Sequence, residues 1–476
     1  MHFELVALAY LIFIAFGFIG SGIADGLGRH YPATRRWLLS PVAGVSSMVL
    51  LTTLLSKIGF ATKHFGPFLV GAALAANVVY WLIKRPAIDW KKAALWNGAL
   101  FVALLLVGWP LVLAGYNWVS FGNIDMTTYL LGANHFYEYS FYQLPSLDDL
   151  LREVDPSWDY SFYYSIGEVR SASQLILALV MSVTSLTAVQ CYMLLILAFH
   201  LTVIATAAAL ICSRQTRERI ALVALLVIGS SANLALGTFN QLLPQDLGIS
   251  ALTASSVVLL NRPPSGSALY LQSGLGGIFL GTLLVAYPEM LPFALIPFLI
   301  YIVITLVKRA AQARQWLRFV GLTGAWALIC ANAALPGALH LLIWTFGSST
   351  SFADVGTLFP YYMTPFGLAL GWGLAPMGIS DAAASTWQMQ MRILLGGGLF
   401  LIALVLTIRD ALRLEAAAVV AATMLLLFIE LFFGKSAFGL FKLAMYAQPF
   451  VLGALTIAVA RMLGARPALE SAGAEG

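Results

Sequence analysis

The chain has 476 residues, 60% of them hydrophobic and only 10% charged, where a soluble domain carries about a quarter charged residues. A globular core cannot hide that much apolar surface, so the solvent for most of the chain is lipid and an ordinary soluble enzyme is excluded. The net charge of +5 does not mark a nucleic-acid binder, because Lys and Arg fall in short clusters between apolar runs rather than on one basic stripe.

Taken in chain order with a window of about 19 residues, the apolar runs predict an all-α polytopic bundle of about thirteen spans. They lie at 4–22, 37–55, 66–83, 95–115, 190–212, 218–238, 246–261, 268–286, 289–307, 318–346, 391–408, 414–434 and 437–460. Before the first run stands a segment with Glu4 and no Lys or Arg, so that run reads as a retained span rather than a cleaved signal peptide. The run at 246–261 is the shortest of the set. A further run, QLILALVMSVTSLT at 174–187, is too short to cross and is expected to lie on the outer leaflet as a juxtamembrane helix. Cys191, Cys212 and Cys330 sit in or beside apolar runs, so neither a disulfide framework nor a thiolate metal site is expected.

Nineteen of the 26 Lys and Arg residues fall in one set of loops, among them Lys91, Lys92, Arg214, Arg217, Arg219, Arg409 and Arg413. By the positive-inside rule these loops are cytoplasmic, which puts the N-terminus outside and the C-terminus inside, in a bacterial inner membrane. The organisation follows: an N-terminal extension of three spans (1–94), a transmembrane module (95–345) with a first periplasmic loop at 117–170, a second periplasmic segment (346–390), C-terminal spans (391–460) and a cytoplasmic tail (461–476).

Polar chemistry concentrates in the first outer loop, which carries 8 of the 21 acidic residues among many aromatics. Asp125, in FGNIDMTTYLLGANHFYEY, stands at the outer membrane boundary. It is placed either to act as a base toward an acceptor hydroxyl or to start a helix. Glu138, Asp155 and Asp159 are candidates for a second carboxylate that orients the acceptor or holds a divalent cation, Mg²⁺ or Mn²⁺, although nothing in the sequence requires a cofactor. His135 is a lone candidate base or ligand. In FNQLLPQD, the amides of Asn240, Gln241 and Gln245 can bind sugar hydroxyls or satisfy backbone broken at Pro244. Glu289 is either an active-site acid or a helix N-terminal charge.

Cations at the outer side are scarce. Lys442 sits within a span, where a charge costs roughly 2.5 to 3.5 kcal/mol on insertion scales. If that helix begins near Lys435, both lysines share a face and, with Arg392 and Tyr446, form a clamp for a phosphate at headgroup depth. Snorkelling, or a pair with Glu430, is the alternative.

A helix leading outward, a loop opening on Asp125, a juxtamembrane helix and a return to a basic corner at 214–219 resemble the GT-C superfamily of integral-membrane glycosyltransferases. FNQLLPQDLG, AYPEMLPFALIPFLIY and FGLFKLAMYAQPF are similar to its poorly characterised bacterial members, so the resemblance covers roughly residues 95–460. It implies sugar transfer from a polyprenyl-phosphate or polyprenyl-diphosphate carrier to a glycan, lipid or protein acceptor on the outer face, with Asp125 in the position of the usual catalytic base. Asn123-Ile124-Asp125 stands where many members carry paired acids, and three helices precede the module. Competing readings are a transporter or flippase of lipid-linked glycans, which calls for discontinuous helices near the midplane, and an O-antigen polymerase or ligase, whose late outer loop should carry arginines and a histidine. Residues 347–390 carry neither Lys, Arg nor His.

Overall fold

In a computed structural model the chain is described at residues 1–85, 89–119, 124–152, 155–158, 160, 170–212, 217–308, 312–347, 360–375 and 386–464. Asp159, Arg214 and the tail from 465 lie outside the described residues. All regular structure among the described residues is helical. Ten helices are long and apolar enough to cross a membrane, or twelve if each of two bent pairs counts as one span, and the protein is a multi-pass membrane protein.

The helices are α1 (Phe3–Leu27), α2 (Ala33–Lys57), α3 (Thr62–Lys84), α4 (Trp90–Ala114), α5 (Ile124–Glu138), α6 (Leu147–Leu151), α7 (Ala172–Thr184), α8 (Ala188–Ile211), α9 (Glu218–Gly229), α10 (Ala232–Phe239), α11 (Leu243–Leu259), α12 (Ser267–Ala286), α13 (Leu291–Lys308), α14 (Ala313–Ala331), α15 (Leu335–Gly347), α16 (Phe366–Leu370), α17 (Trp387–Ala411), α18 (Ala416–Phe433), α19 (Ala437–Tyr446) and α20 (Gln448–Met462). Twelve of the thirteen expected spans fall on membrane-length helices or bent pairs; the run at 246–261 falls on α11, which has 17 residues, all buried.

Apolarity on every side puts α8 at the centre, where its spanning stretch is wholly buried, whereas α3 and α17, at the rim, have only 11% and 17% of theirs buried. Glycine lets α1 and α2 meet backbone to backbone. A Cβ on Gly20 would stand 2.0 Å from the Ser40 carbonyl oxygen and one on Gly44 1.9 Å from that of Phe16, the close approach that small residues allow between membrane helices.

Polar contacts mark two ends of the bundle. At the basic end Arg35 lies over the Tyr31 ring at 4.3 Å and donates to the carbonyls of Ala209 (3.1 Å) and Val257 (3.0 Å), in the last turns of α8 and α11. It thus supplies donors where two helix C-termini leave carbonyls unpaired. Arg217 grips Glu415 with both terminal nitrogens (2.8 and 2.7 Å), and Arg461 reaches Asp410 (2.9 Å) and Glu415. At the other, loop-bearing end the His2 amide donates to the Val112 carbonyl, the Phe141 amide to that of Ser56, and Arg170 pairs with Glu289. These ties put the C-termini of α8 and α11 at one end, and the α1 start, the α4 and α2 ends and the α12 end at the other.

The short helix expected on the outer leaflet is α7 (Ala172–Thr184), which is too short to count among the membrane-length helices. Ala172–Met181 are all buried, and α7 packs against α2, α3, α5 and α8.

Two pairs of apolar helices are sharply bent. α9 and α10 meet at 52° around Ser230–Ser231, and α19 and α20 at 51° around Ala447. Pro449, at the first turn of α20, cannot continue a straight ladder from α19. The breaks touch: Ser231 donates to the Gln448 side chain at 3.1 Å, and Gln448 Nε2 donates to the carbonyls of Gly371 (3.2 Å) and Ala444 (2.8 Å). Asn233 Nδ2 reaches the carbonyls of Leu370 (2.9 Å) and Gly371 (2.5 Å), so the segment 360–375 is tied into the bundle.

Candidate active site

Two aromatic corners and two cations converge at the loop end. Tyr287 ends α12, and its hydroxyl meets that of Tyr446 in α19 at 3.1 Å. Lys442 Nζ donates to the Tyr287 hydroxyl at 3.2 Å and stands 4.5 Å from the Phe438 ring centre. On the other side of Tyr287 the Arg170 guanidinium lies 4.3 Å over the ring and pairs with Glu289. Arg170 also hydrogen-bonds and interacts electrostatically with Tyr129, one turn along α5 from Asp125, and Asp125 interacts electrostatically with Tyr129 and Tyr192. Asp125 and Lys442 thus belong to one neighbourhood, linked through Tyr129, Arg170 and Tyr287.

Charge in this cluster is unevenly balanced. Burial opposes ionisation of Arg170, but the fields of Tyr287, Glu289 and Tyr129 outweigh it and raise its pKa, so the guanidinium stays charged. Burial also raises the pKa of Tyr129. For Tyr287 burial works upward too, yet Lys442 and Arg170 overcome it and hold the phenol below its ordinary value. Negative charge on an oxygen at that place is therefore stabilised. Glu289 Oε2 is buried with no hydrogen-bond partner among the described residues. A crevice of about 20 Å³ opens beside Arg170, Lys57 and Pro288.

The other candidates are distributed differently. Asp125 is exposed in the first turn of α5. Glu138 is at the far end of α5, about 20 Å from Asp125 by the helical rise, and pairs with Lys63. Asp155 accepts from the Ser157 amide (2.8 Å) and the Tyr139 hydroxyl (3.4 Å). Of the second-carboxylate candidates described, Glu289 alone shares the cluster. His135 is fully buried against Phe136, Tyr139 and Trp158, with ring centres 5.4 to 5.6 Å away. Burial pushes its pKa down to about 4, against the pull of Asp155, so it is a neutral packing residue here.

Gln241 is buried, donating to the Trp118 carbonyl at 2.8 Å, and its φ is +58°. Gln245 is turned to Met445 Sδ at 3.2 Å, and Asn240 donates to the Leu236 carbonyl at 2.9 Å. These amides serve the α10–α11 turn, where Pro244 starts α11 instead of interrupting a helix. Nearby, Thr238 links His200 (2.9 Å) and Asp246 (3.0 Å) in the interior.

Of the expected phosphate clamp, Lys442 and Tyr446 meet. Lys435 does not share a helix face with Lys442, because α19 begins at Ala437 and Lys435 occupies an exposed left-handed turn with φ +57°. Arg392 is exposed on the first turns of α17, without an ion pair among the described residues. Nor does an ion pair join Lys442 to Glu430 among those residues. Sequence reasoning missed Arg170 as a member of the site. The available signal was its place as an arginine in a loop set poor in cations, directly before an apolar helix.

Among the described residues no group of three or more His, Cys, Asp or Glu side chains is arranged to hold a metal ion. No protein-family model, no curated protein and no solved structure matches the chain.

Proposed function

We propose that this protein is an integral-membrane glycosyltransferase that moves a sugar from a polyprenyl-phosphate-type carrier to a glycan, lipid or protein acceptor. In this reading the bundle is GT-C-like and crosses thirteen times, with α11 as the short seventh span. The N-terminus is outside and the basic end faces the cytoplasm of a bacterial inner membrane, so the loop end faces the periplasm. The observation that carries the reading is the meeting of Lys442 and Arg170 at Tyr287, in the neighbourhood of Asp125.

Chemically, an acceptor hydroxyl attacks the anomeric carbon while Asp125 takes its proton. The bond from that carbon to the carrier oxygen breaks, and its electron pair leaves with the phosphate. Lys442 and Arg170 stabilise that developing charge, and attack from the opposite face inverts the anomeric centre. Asp125→Asn is expected to abolish transfer from a synthetic polyprenyl-phosphate sugar without lowering abundance or thermal stability. Full activity in that variant would sink the assignment.

A second reading, transport of a lipid-linked glycan, is favoured by the two broken spans that meet at Ser231 and Gln448, since discontinuous helices are a transporter's usual means of placing polar groups within the membrane. Product formation by detergent-solubilised protein, where no second leaflet exists, supports transfer. Leaflet exchange of a fluorescent carrier sugar in proteoliposomes, with no product, supports transport.

A further inference from the structure

A cavity of about 280 Å³ opens at the basic end between α1, α2, α3 and α4, the opposite end from Asp125 and Lys442. Trp37, Tyr80, Trp81 and Trp96 line it, together with Arg36 and Lys92. Its acids are already engaged. Asp25 is held by Arg36 (2.9 Å) and by the Tyr80 hydroxyl. Glu218, just beyond the lining, is held by Thr34 (2.5 Å) and Lys92 (2.7 Å). Asp89 caps α4 through the Lys92 amide (3.1 Å).

What remains is donor capacity. Arg36 Nε is buried with no hydrogen-bond partner among the described residues. Ala33 and Thr34, in the first turn of α2, line the cavity, and the residue before them, Pro32, offers that turn no side-chain cap. A ligand that completes this site must bring acceptor oxygens for Arg36 Nε and the start of α2, and these oxygens share Arg36 and Lys92 with the carboxylates of Asp25 and Glu218. The indole walls suit an apolar or glycerol portion, as aromatic residues do where a membrane meets water.

We infer that this cavity binds the phosphodiester headgroup of an amphiphile from the leaflet adjoining the basic end. The phosphate sits at Arg36 and the start of α2, and the glycerol and first acyl carbons lie against the tryptophans. The N-terminal extension is then a lipid-binding module independent of the candidate active site.

The test uses full-length protein in an uncharged maltoside detergent, with tryptophan fluorescence as the readout. Dihexanoylphosphatidylglycerol should bind saturably, and Arg36→Gln should weaken it at least tenfold. Ala93→Phe, which fills the cavity while keeping every charged group, should weaken it equally and decides the matter if Arg36→Gln does not fold. Asp125→Asn should bind as the parent does, so failure of the transferase reading leaves this site untouched. Uncharged dihexanoylglycerol binding as tightly, unchanged affinity in Ala93→Phe, or inorganic phosphate alone binding as tightly as the lipid would each overturn the inference.

Discussion

Replacing Arg170 by Gln should destabilise the loop end by about 3 to 4 kcal/mol. Breaking a fully buried ion pair by removing one partner costs about 3 to 5 kcal/mol, because the other charge is left uncompensated. Here Arg170 and Glu289 keep 22% and 23% of their side-chain surface exposed, which lowers that figure to about 2 to 3 kcal/mol. Loss of the cation over the Tyr287 ring adds about 1 kcal/mol. Glu289→Gln should cost less, about 1 to 2 kcal/mol, because Arg170 keeps its contacts with Tyr287 and Tyr129. The double variant should then recover about 2 kcal/mol relative to the sum of the two. Unfolding in mixed micelles of rising dodecyl-sulfate fraction, followed by tryptophan fluorescence, measures all four corners of the cycle. Additivity within about 0.5 kcal/mol would show that the two side chains do not work as a pair and would refute the reasoning.

Other expectations follow from the same contacts. Gly44→Ala should force α1 and α2 apart at a cost of about 1 to 3 kcal/mol, whereas Gly71→Ala on α3, where nothing lies within 4 Å, should be neutral or slightly stabilising in the same titration. His135 has a pKa of about 4 in the fold against an ordinary 6.5, burial being the cause. The unfolded chain therefore takes up a proton that the folded loop refuses. Stability is complete above about pH 6.5 and falls by about 1.4 kcal/mol per unit as pH drops toward 4. Protection factors of the α5 amides, taken relative to the intrinsic exchange rate at each pH, should fall as pH drops from 7 to 5, and His135→Phe should flatten that dependence. Under the thirteen-span reading, cysteines introduced at Arg219 and Arg413 in a cysteine-free background should react with impermeant reagents only from the cytoplasmic side, and one at Lys63 only from outside. Labelling of 219 and 413 from opposite sides would mean that α11 does not cross.

Helix existence was legible in the sequence because the requirement is local. A run of apolar residues with its backbone satisfied internally is the form that lipid permits, and twelve expected spans coincide with helices or bent pairs of that kind. Segregation of Lys and Arg was legible too, since Arg217, Glu415 and Arg461 gather at one end. Asp125 stood out as an acid at a helix boundary, and Lys442 as a charge within a span.

Convergence was not legible, because it depends on which helices are neighbours. Arg170 enters the cluster only when α5 and α7 fold against the bundle beside the α12 corner, and Glu289 is its partner across 119 residues of chain. Lys435 drops out because one residue with positive φ turns the chain before α19 begins. Gln241 and Gln245 look free in a list of residues but are consumed by a carbonyl and a thioether that the packing brings to them. Composition alone determined the solvent and the elements. The side-chain partnerships were decided by tertiary packing, because hydrogen bonds and ion pairs act over about 3 Å and a register shift of one residue turns a helical side chain away by a little over a quarter of a turn.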